Sequence, residues 1–166
     1  MKTLARGLSV LLCAIATACT CPQAKLPASD ATPPMLTWIV TNNVSKAVQN
    51  LSGNTTLSVK WGDNYSVKMV VDDPGGVHKI SLATIVEHWC GGTHVGPGLA
   101  SPDETTQSPD SNNMVCTELY KLSDLDFRLG CPGGGTFTSG KADLMASGEN
   151  FFNGVTTATL TFNIVP

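Results

Sequence analysis

The stretch VTTATLTFNIV, residues 155–165, alternates small or apolar side chains with polar ones at every second position. Ala158, Leu160, Phe162 and Ile164 fall on one side of an extended chain, and threonines and an asparagine fall on the other. A period of two is typical of a β-strand with one buried and one solvated face. The sequence therefore predicts an amphipathic strand here.

The same alternation recurs upstream, as in YSVKMVVD, residues 65–72. Turn-forming residues separate such runs at residues 62–64, 73–76, 132–135 and 153–154. No segment of the domain has a convincing helical period. About eight short strands within residues 36–166 predict an all-β fold, an antiparallel β-sandwich of about seven to eight strands.

Two stretches carry a family resemblance. YSVKMVVDDPGGVHKISL (residues 65–82) resembles consecutive strands of bacterial immunoglobulin-like (Ig-like) domains, and SGKADLMASGENFFNGVTTATLTFNIV (residues 139–165) resembles their last two strands. The resemblance implies an Ig-like β-sandwich domain over residues 36–166. It leaves the function open, because this fold serves in adhesion, carbohydrate binding, stalks and enzyme appendages.

The composition narrows the possible functions. Charged residues are 14% of the chain, and the formal net charge is −3. A mildly acidic chain without a Lys/Arg cluster is poorly suited to phosphate backbones, so no nucleic-acid partner is expected. No nucleophile elbow, HExxH or paired-carboxylate motif occurs, which predicts a non-enzymatic protein with no catalytic residues and no cofactor.

The N-terminus predicts export. Lys2 and Arg6 precede an uncharged, mostly apolar run at residues 7–18, which is too short to span a bilayer but suits a signal peptide. Residues 1–18 are therefore predicted to be a signal peptide. The expected location is the bacterial cell envelope, periplasmic or surface, with secretion as the alternative.

The sequence Ala16-Thr17-Ala18-Cys19 resembles the lipobox of bacterial lipoproteins. The resemblance implies cleavage before Cys19 and lipidation of that cysteine, which would attach the protein to a membrane. Ala-Thr-Ala also suits the ordinary signal peptidase, so secretion of a soluble protein is the competing interpretation.

Two further segments are poor in apolar residues. Residues 19–35 contain four prolines and are expected to be a disordered or extended tether behind the lipidated cysteine. Residues 91–113 form a polar stretch of 23 residues, for which we expect a disordered loop, with a binding element as the alternative.

Four cysteines remain in the predicted mature chain beyond Cys19. In an oxidising compartment they suggest disulfides, with three possible connectivities. The candidates are Cys21, Cys90, Cys116 and Cys131.

One connectivity follows from a predicted hairpin. A turn at residues 123–124 would bring Cys116 and Cys131 face to face, within reach of a bridge. The rival scheme joins Cys90 to one of these two across the sheets. In the hairpin scheme, Cys90 is free or pairs with Cys21.

The densest group of chemically able side chains lies at residues 87–94, EHWCGGTH. His88, Cys90 and His94 could supply two imidazoles and a thiolate to a metal ion. The spacing matches no known zinc motif, so a disulfide with surface histidines is the favoured interpretation and no metal site is assigned.

Two other groups have possible binding roles. Trp61 and Trp89 lie beside a turn and a loop, where aromatic side chains can stack on sugar rings, although sandwich tryptophans are more often core residues. Asp72-Asp73, together with Asp63 and Asn64, could offer oxygen ligands to calcium. The alternative for the aspartates is capping of a turn.

These observations predict an exported, lipid-anchored, non-enzymatic Ig-like domain protein, expected to be a monomer. It would have an interaction or display role with an unidentified protein or glycan partner. The alternative is a carbohydrate- or metal-binding module that uses Trp61, Trp89, His88 and His94. A third possibility is an accessory domain of an enzyme.

Overall fold

A computed structural model describes residues 21–166. The predicted signal peptide and Cys19 lie outside this range. The twelve strands of the described part are β1 (Gln23–Lys25), β2 (Met35–Asn42), β3 (Val48–Ser52), β4 (Thr55–Lys60), β5 (Asn64–Asp72), β6 (Val77–Cys90), β7 (Thr93–Leu99), β8 (Asp103–Thr106), β9 (Met114–Cys116), β10 (Glu118–Asp126), β11 (Phe137–Asn150) and β12 (Val155–Val165). Within residues 21–166 the one helical segment is a 3-10 turn at Pro132–Gly134, and no helix there is long and apolar enough to cross a bilayer.

The strands form three sheets. One sheet has the order β10-β5-β2-β3, and a second has the order β4-β12-β11-β6-β7, with β8 beside β7 on the same edge of β6. β1 and β9 form a small third sheet. The prediction of an all-β fold is confirmed. The number of strands was underestimated, and the pairing is not wholly antiparallel because β4 runs parallel to β12.

The four-stranded and six-stranded sheets pack face to face around one core. The alternating residues of β5 and β12 that the sequence placed on a dry face are buried here. Tyr65 from one sheet meets Phe162 from the other with ring centroids 5.5 Å apart. A Cβ atom on Gly148 would lie 2.5 Å from Val71 of the facing sheet, so the absence of a side chain at Gly148 leaves the room that Val71 occupies.

Residues 21–35 are fixed to the domain, so the disordered form of the tether predicted for residues 19–35, as a disordered or extended segment, does not hold for this part. β1 pairs with β9, and Thr117 donates its backbone N–H to the Pro22 carbonyl at 2.8 Å. Thr156 Oγ1 donates to the Pro34 carbonyl. Prolines lack a donor but keep an acceptor, and the domain supplies the donors that fasten this segment.

The expected disorder of residues 91–113 is also wrong, because this stretch supplies β7 and β8. Both strands pair with β6, which would otherwise leave a row of unpaired backbone groups at the sheet edge. Gln107 then ties the end of the stretch to β9, as its Oε1 accepts the Cys116 N–H at 2.9 Å. Backbone hydrogen bonds therefore order this segment, although its sequence has no apolar pattern.

The four cysteines form two disulfides, Cys21–Cys116 and Cys90–Cys131, with Cα–Cα distances of 5.5 and 5.7 Å. The Cys116–Cys131 pairing is wrong because β10 continues through residues 123–124 as one strand paired with β5. The rival bridge between Cys90 and Cys131 is present. Two disulfides indicate an oxidising location outside the cytoplasm.

The shared core predicts that alanine substitutions at two leucine positions lower the free energy of unfolding by very different amounts. Leu160 is fully buried and Leu122 is 66% exposed, and both lie in strands. We expect Leu160→Ala to lower the free energy of unfolding by about 2–5 kcal/mol. Leu122→Ala should change it by less than about 0.5 kcal/mol. Urea denaturation of the oxidised protein measures both, and equal losses would contradict the described core.

The disulfide pairs are tested by peptide mapping without reduction. Trypsin combined with a protease that cleaves before aspartate separates all four cysteines, because Asp103 and Asp110 lie between Cys90 and Cys116. We expect cross-linked peptides containing Cys21 with Cys116 and Cys90 with Cys131. A cross-link between Cys116 and Cys131 would contradict the structure and restore the hairpin interpretation.

Candidate functional site

An apolar groove lies at the end of the sandwich where β4 and β12 finish. Trp61 follows β4, and its backbone N–H donates to the Val165 carbonyl at 2.7 Å. Its indole Nε1 donates to the Leu129 carbonyl at 3.1 Å, which fixes the ring while 46% of the residue remains exposed. Gly62, with φ of +90°, allows the sharp turn that follows.

A second aromatic side chain lines the groove beside Trp61. Phe137, at the start of β11, stacks with Trp61 at a centroid distance of 6.1 Å and an interplanar angle of 30°. Phe137 also stacks with His88, at a centroid distance of 6.4 Å and an interplanar angle of 25°. The Nε2 atom of His88 lies 3.0 Å from the Gly130 carbonyl oxygen. Three rings from β6, β11 and the β4–β5 turn therefore form one aromatic row.

The Cys90–Cys131 disulfide holds the remaining side of the groove. It fixes the segment after β10 against the end of β6, and the 3-10 turn that follows depends on Gly133 and Gly134 at positive φ. The groove has a volume of about 460 Å³. We call this feature the Trp61 groove, lined by Trp61, Leu129, Gly130, Cys131, Gly135, Thr136, Phe137 and Pro166.

The electrostatic character of the groove is close to neutral. Within residues 21–166, none of the side chains lining it is acidic or basic. Arg128, next to Leu129 in the chain, is paired with Asp126, and Arg128 Nε donates to Asp126 Oδ1 at 2.9 Å. The Arg128 side chain lowers the pKa of Asp126 to about 2. The groove thus favours a flat, largely uncharged group that can lie against aromatic faces.

The four residues predicted to form a ligand site are divided between two faces. Trp61 and His88 belong to the aromatic row, whereas Trp89 and His94 pair on the outer face of the β6–β7 hairpin with centroids 4.8 Å apart. His94 Nε2 also lies 3.2 Å from Glu87 Oε2. Successive β6 residues point to opposite faces, so His88 and Trp89 separate.

The three side chains predicted as possible metal ligands are also divided between the two faces. The ligand atoms of His88, Cys90 and Cys131 lie within 4.8 Å of one another, whereas His94 is on the opposite face. Because the two sulfurs are bonded to each other, neither is available as a thiolate. His88 alone is a weak metal ligand.

The calcium group proposed from sequence is not assembled. Asp63 and Asn64 lie at the beginning of β5, and Asp72 and Asp73 lie at its end, roughly 25 Å away at about 3.3 Å per residue. Asp73 caps a turn instead, because its Oδ1 accepts the Gly75 N–H at 2.7 Å. The structure therefore supports the alternative interpretation, in which the aspartates cap a turn.

Phe137 is the groove residue that sequence analysis missed. It follows the glycine-rich turn at residues 132–135 and starts β11, where the burial pattern is still irregular. Its neighbour Trp61 is far away in the sequence. A single aromatic residue after a glycine run gives no sign of that contact.

Comparison with known proteins gives no family. No protein-family model matches the chain, and no curated protein matches it.

Proposed function

We propose that this protein is an exported, lipid-anchored, non-enzymatic Ig-like domain of the bacterial cell envelope that presents the Trp61 groove to a partner. Residues 1–18 serve as the signal peptide in this proposal, and Cys19 carries the lipid. The two disulfides support export, since such bonds persist in oxidising compartments.

The observation that carries the proposal is the opposite placement of the N-terminal segment and the groove. Cys21 is bonded to Cys116, close to the beginning of β10. The Trp61 groove lies at the other end of the sheets. β6 and β11, which connect the two ends, have 14 residues each and span roughly 45 Å at about 3.3 Å per residue.

This placement determines how a lipid on Cys19 would orient the domain relative to the membrane. One residue, Thr20, separates Cys19 from the bridged Cys21. The anchored end of the domain would then lie at the membrane, and the groove would point away from it. The domain itself would act as the spacer that the proline-rich segment was expected to provide.

The strand order supports the Ig-like assignment. A constant-type Ig sandwich has strands A, B, E and D in one sheet and strands C, F and G in the other. β2, β5 and β10 match A, B and E in order and pairing, and β6, β11 and β12 match C, F and G. The chain crosses between sheets after β5 and after β10, as this assignment requires. β3, β4 and the β7–β8 edge are additions to that plan, and no strand among residues 21–166 takes the place of strand D beside β10.

Anchoring is tested by the mass of the mature N-terminal peptide. Protein expressed with its own leader in a Gram-negative host should begin at Cys19 and carry a diacylglyceryl group, and it should fractionate with membranes. An unmodified Cys19, or a mature chain that starts elsewhere, would contradict lipid anchoring and favour soluble secretion.

A glycan is the second candidate partner, and the stacked pair of Trp61 and Phe137 favours it. The C–H faces of pyranose rings pack against aromatic faces, and a partly exposed tryptophan on a rigid edge offers such a face. Backbone groups of residues 129–136 would supply hydrogen bonds to hydroxyls.

Glycan binding is tested by tryptophan fluorescence during titration with hexasaccharides of β-1,4-linked glucose and N-acetylglucosamine, and with α-mannan. We expect saturable quenching with at least one probe. Trp61→Ala should weaken binding at least tenfold, because it removes the platform. Trp89→Ala is the matched control and should bind normally, since Trp89 lies on the other face.

Two results would contradict the glycan candidate. Quenching that depends on Trp89 instead of Trp61 would place the site elsewhere. No response to any probe would leave a protein partner as the occupant of the groove.

A further inference from the structure

A buried carboxylate lies at the end of the sandwich opposite the Trp61 groove, in the turn that joins β5 to β6. Asp73 is 2% exposed, and its Oδ1 accepts the Gly75 N–H at 2.7 Å. Its other oxygen, Oδ2, is buried and has no hydrogen-bond partner within the described part of the chain. A buried carboxylate oxygen without a partner is costly in free energy.

The neighbour of this carboxylate is a second carboxylate. Asp30, from the N-terminal segment, packs over Gly75 so closely that a Cβ atom there would lie 2.1 Å from Asp30 Oδ2. Asp30 Oδ1 accepts the Thr32 N–H at 2.9 Å, whereas Oδ2 faces the turn. Burial raises the pKa of Asp73, and the hydrogen bond from Gly75 lowers it. The Asp30 carboxylate raises this pKa again, and the amide of Asn150 lowers it slightly.

The described residues provide no cationic side chain for this pair. Neither aspartate takes part in any of the ion pairs among residues 21–166. The closest polar side chain from the β11–β12 turn is the neutral Asn150, which is 1% exposed. Its Nδ2 donates to the Thr32 carbonyl at 2.8 Å, and its Oδ1 accepts N–H groups of Phe152 and Gly154.

We propose that a calcium ion binds between the carboxylates of Asp30 and Asp73 and fastens the N-terminal segment to the sandwich. Two carboxylates match a divalent charge, and oxygen ligands suit calcium. Calcium also accepts irregular geometry and completes its coordination with water, which the partly exposed Asp30 side admits. This site differs from the group predicted from sequence, because its second carboxylate comes from the segment expected to be a disordered or extended tether.

The test is calorimetric titration of the chelator-treated protein with CaCl₂ at pH 7, together with its thermal denaturation. We expect one calcium ion per chain and a rise in Tm of about 5 °C at saturation. Asp73→Asn and Asp30→Asn should each abolish the heat of binding and the rise in Tm. Both asparagines can keep the backbone bonds that the aspartates accept, so both variants are expected to fold.

Asp72→Asn is the matched control, because Asp72 adjoins Asp73 in the chain but is exposed. It should bind calcium as the unchanged protein does. Trypsin provides a second readout, since calcium should slow cleavage after Lys25 in the fastened segment and should not do so in Asp30→Asn.

Three results would overturn the proposal. The first is a calcium response that survives in both Asp30→Asn and Asp73→Asn or disappears in Asp72→Asn. The second is an equal rise in Tm with MgCl₂, which would indicate general screening. The third is the absence of any calcium response. An increase in stability as the pH falls would then show that the two carboxylates share a proton instead.

Discussion

Burial of every second side chain from two facing sheets is the constraint on which the molecule depends. It fixes which residues of each strand point inward, and so it determines the composition of the surface as well as the core. On β6 the inward positions include Ile80 and Leu82 and lead, at the strand end, to His88 and Cys90. The aromatic row and the Cys90–Cys131 bridge thus continue the core to one end of the sandwich.

The sequence predicted the parts of the fold that an apolar pattern encodes. The alternation in β5 and β12 identified their buried faces, because burial leaves a period of two in the sequence. β1, β7 and β8 escaped prediction because edge strands are held mainly by backbone hydrogen bonds, which any residue except proline can donate. The continuous β10 was divided into a hairpin because Ser123 and Asp124 interrupt the apolar positions of an exposed strand.

The candidate site was predictable only in part. Trp61 and His88 were named from their residue types, but their common neighbour Phe137 was not, since contacts between distant segments leave no local signal. Residues close in sequence also misled the prediction, because neighbours on a strand point to opposite faces and separate His88 from Trp89. The Asp30–Asp73 junction was missed because Asp30 lies in a segment with no recognisable pattern.

The two disulfides have a mechanical consequence, because only residues 116–131 separate them along the chain. A pulling force applied at Cys21 passes through its bridge to Cys116, runs along β10 to Cys131, and reaches β6 through the second bridge. β10 is already extended, so this covalent path has little slack to release. Tension between Cys21 and Cys90 would therefore be carried by the extended β10 and the two bridges, and it would bypass the chain between these two cysteines.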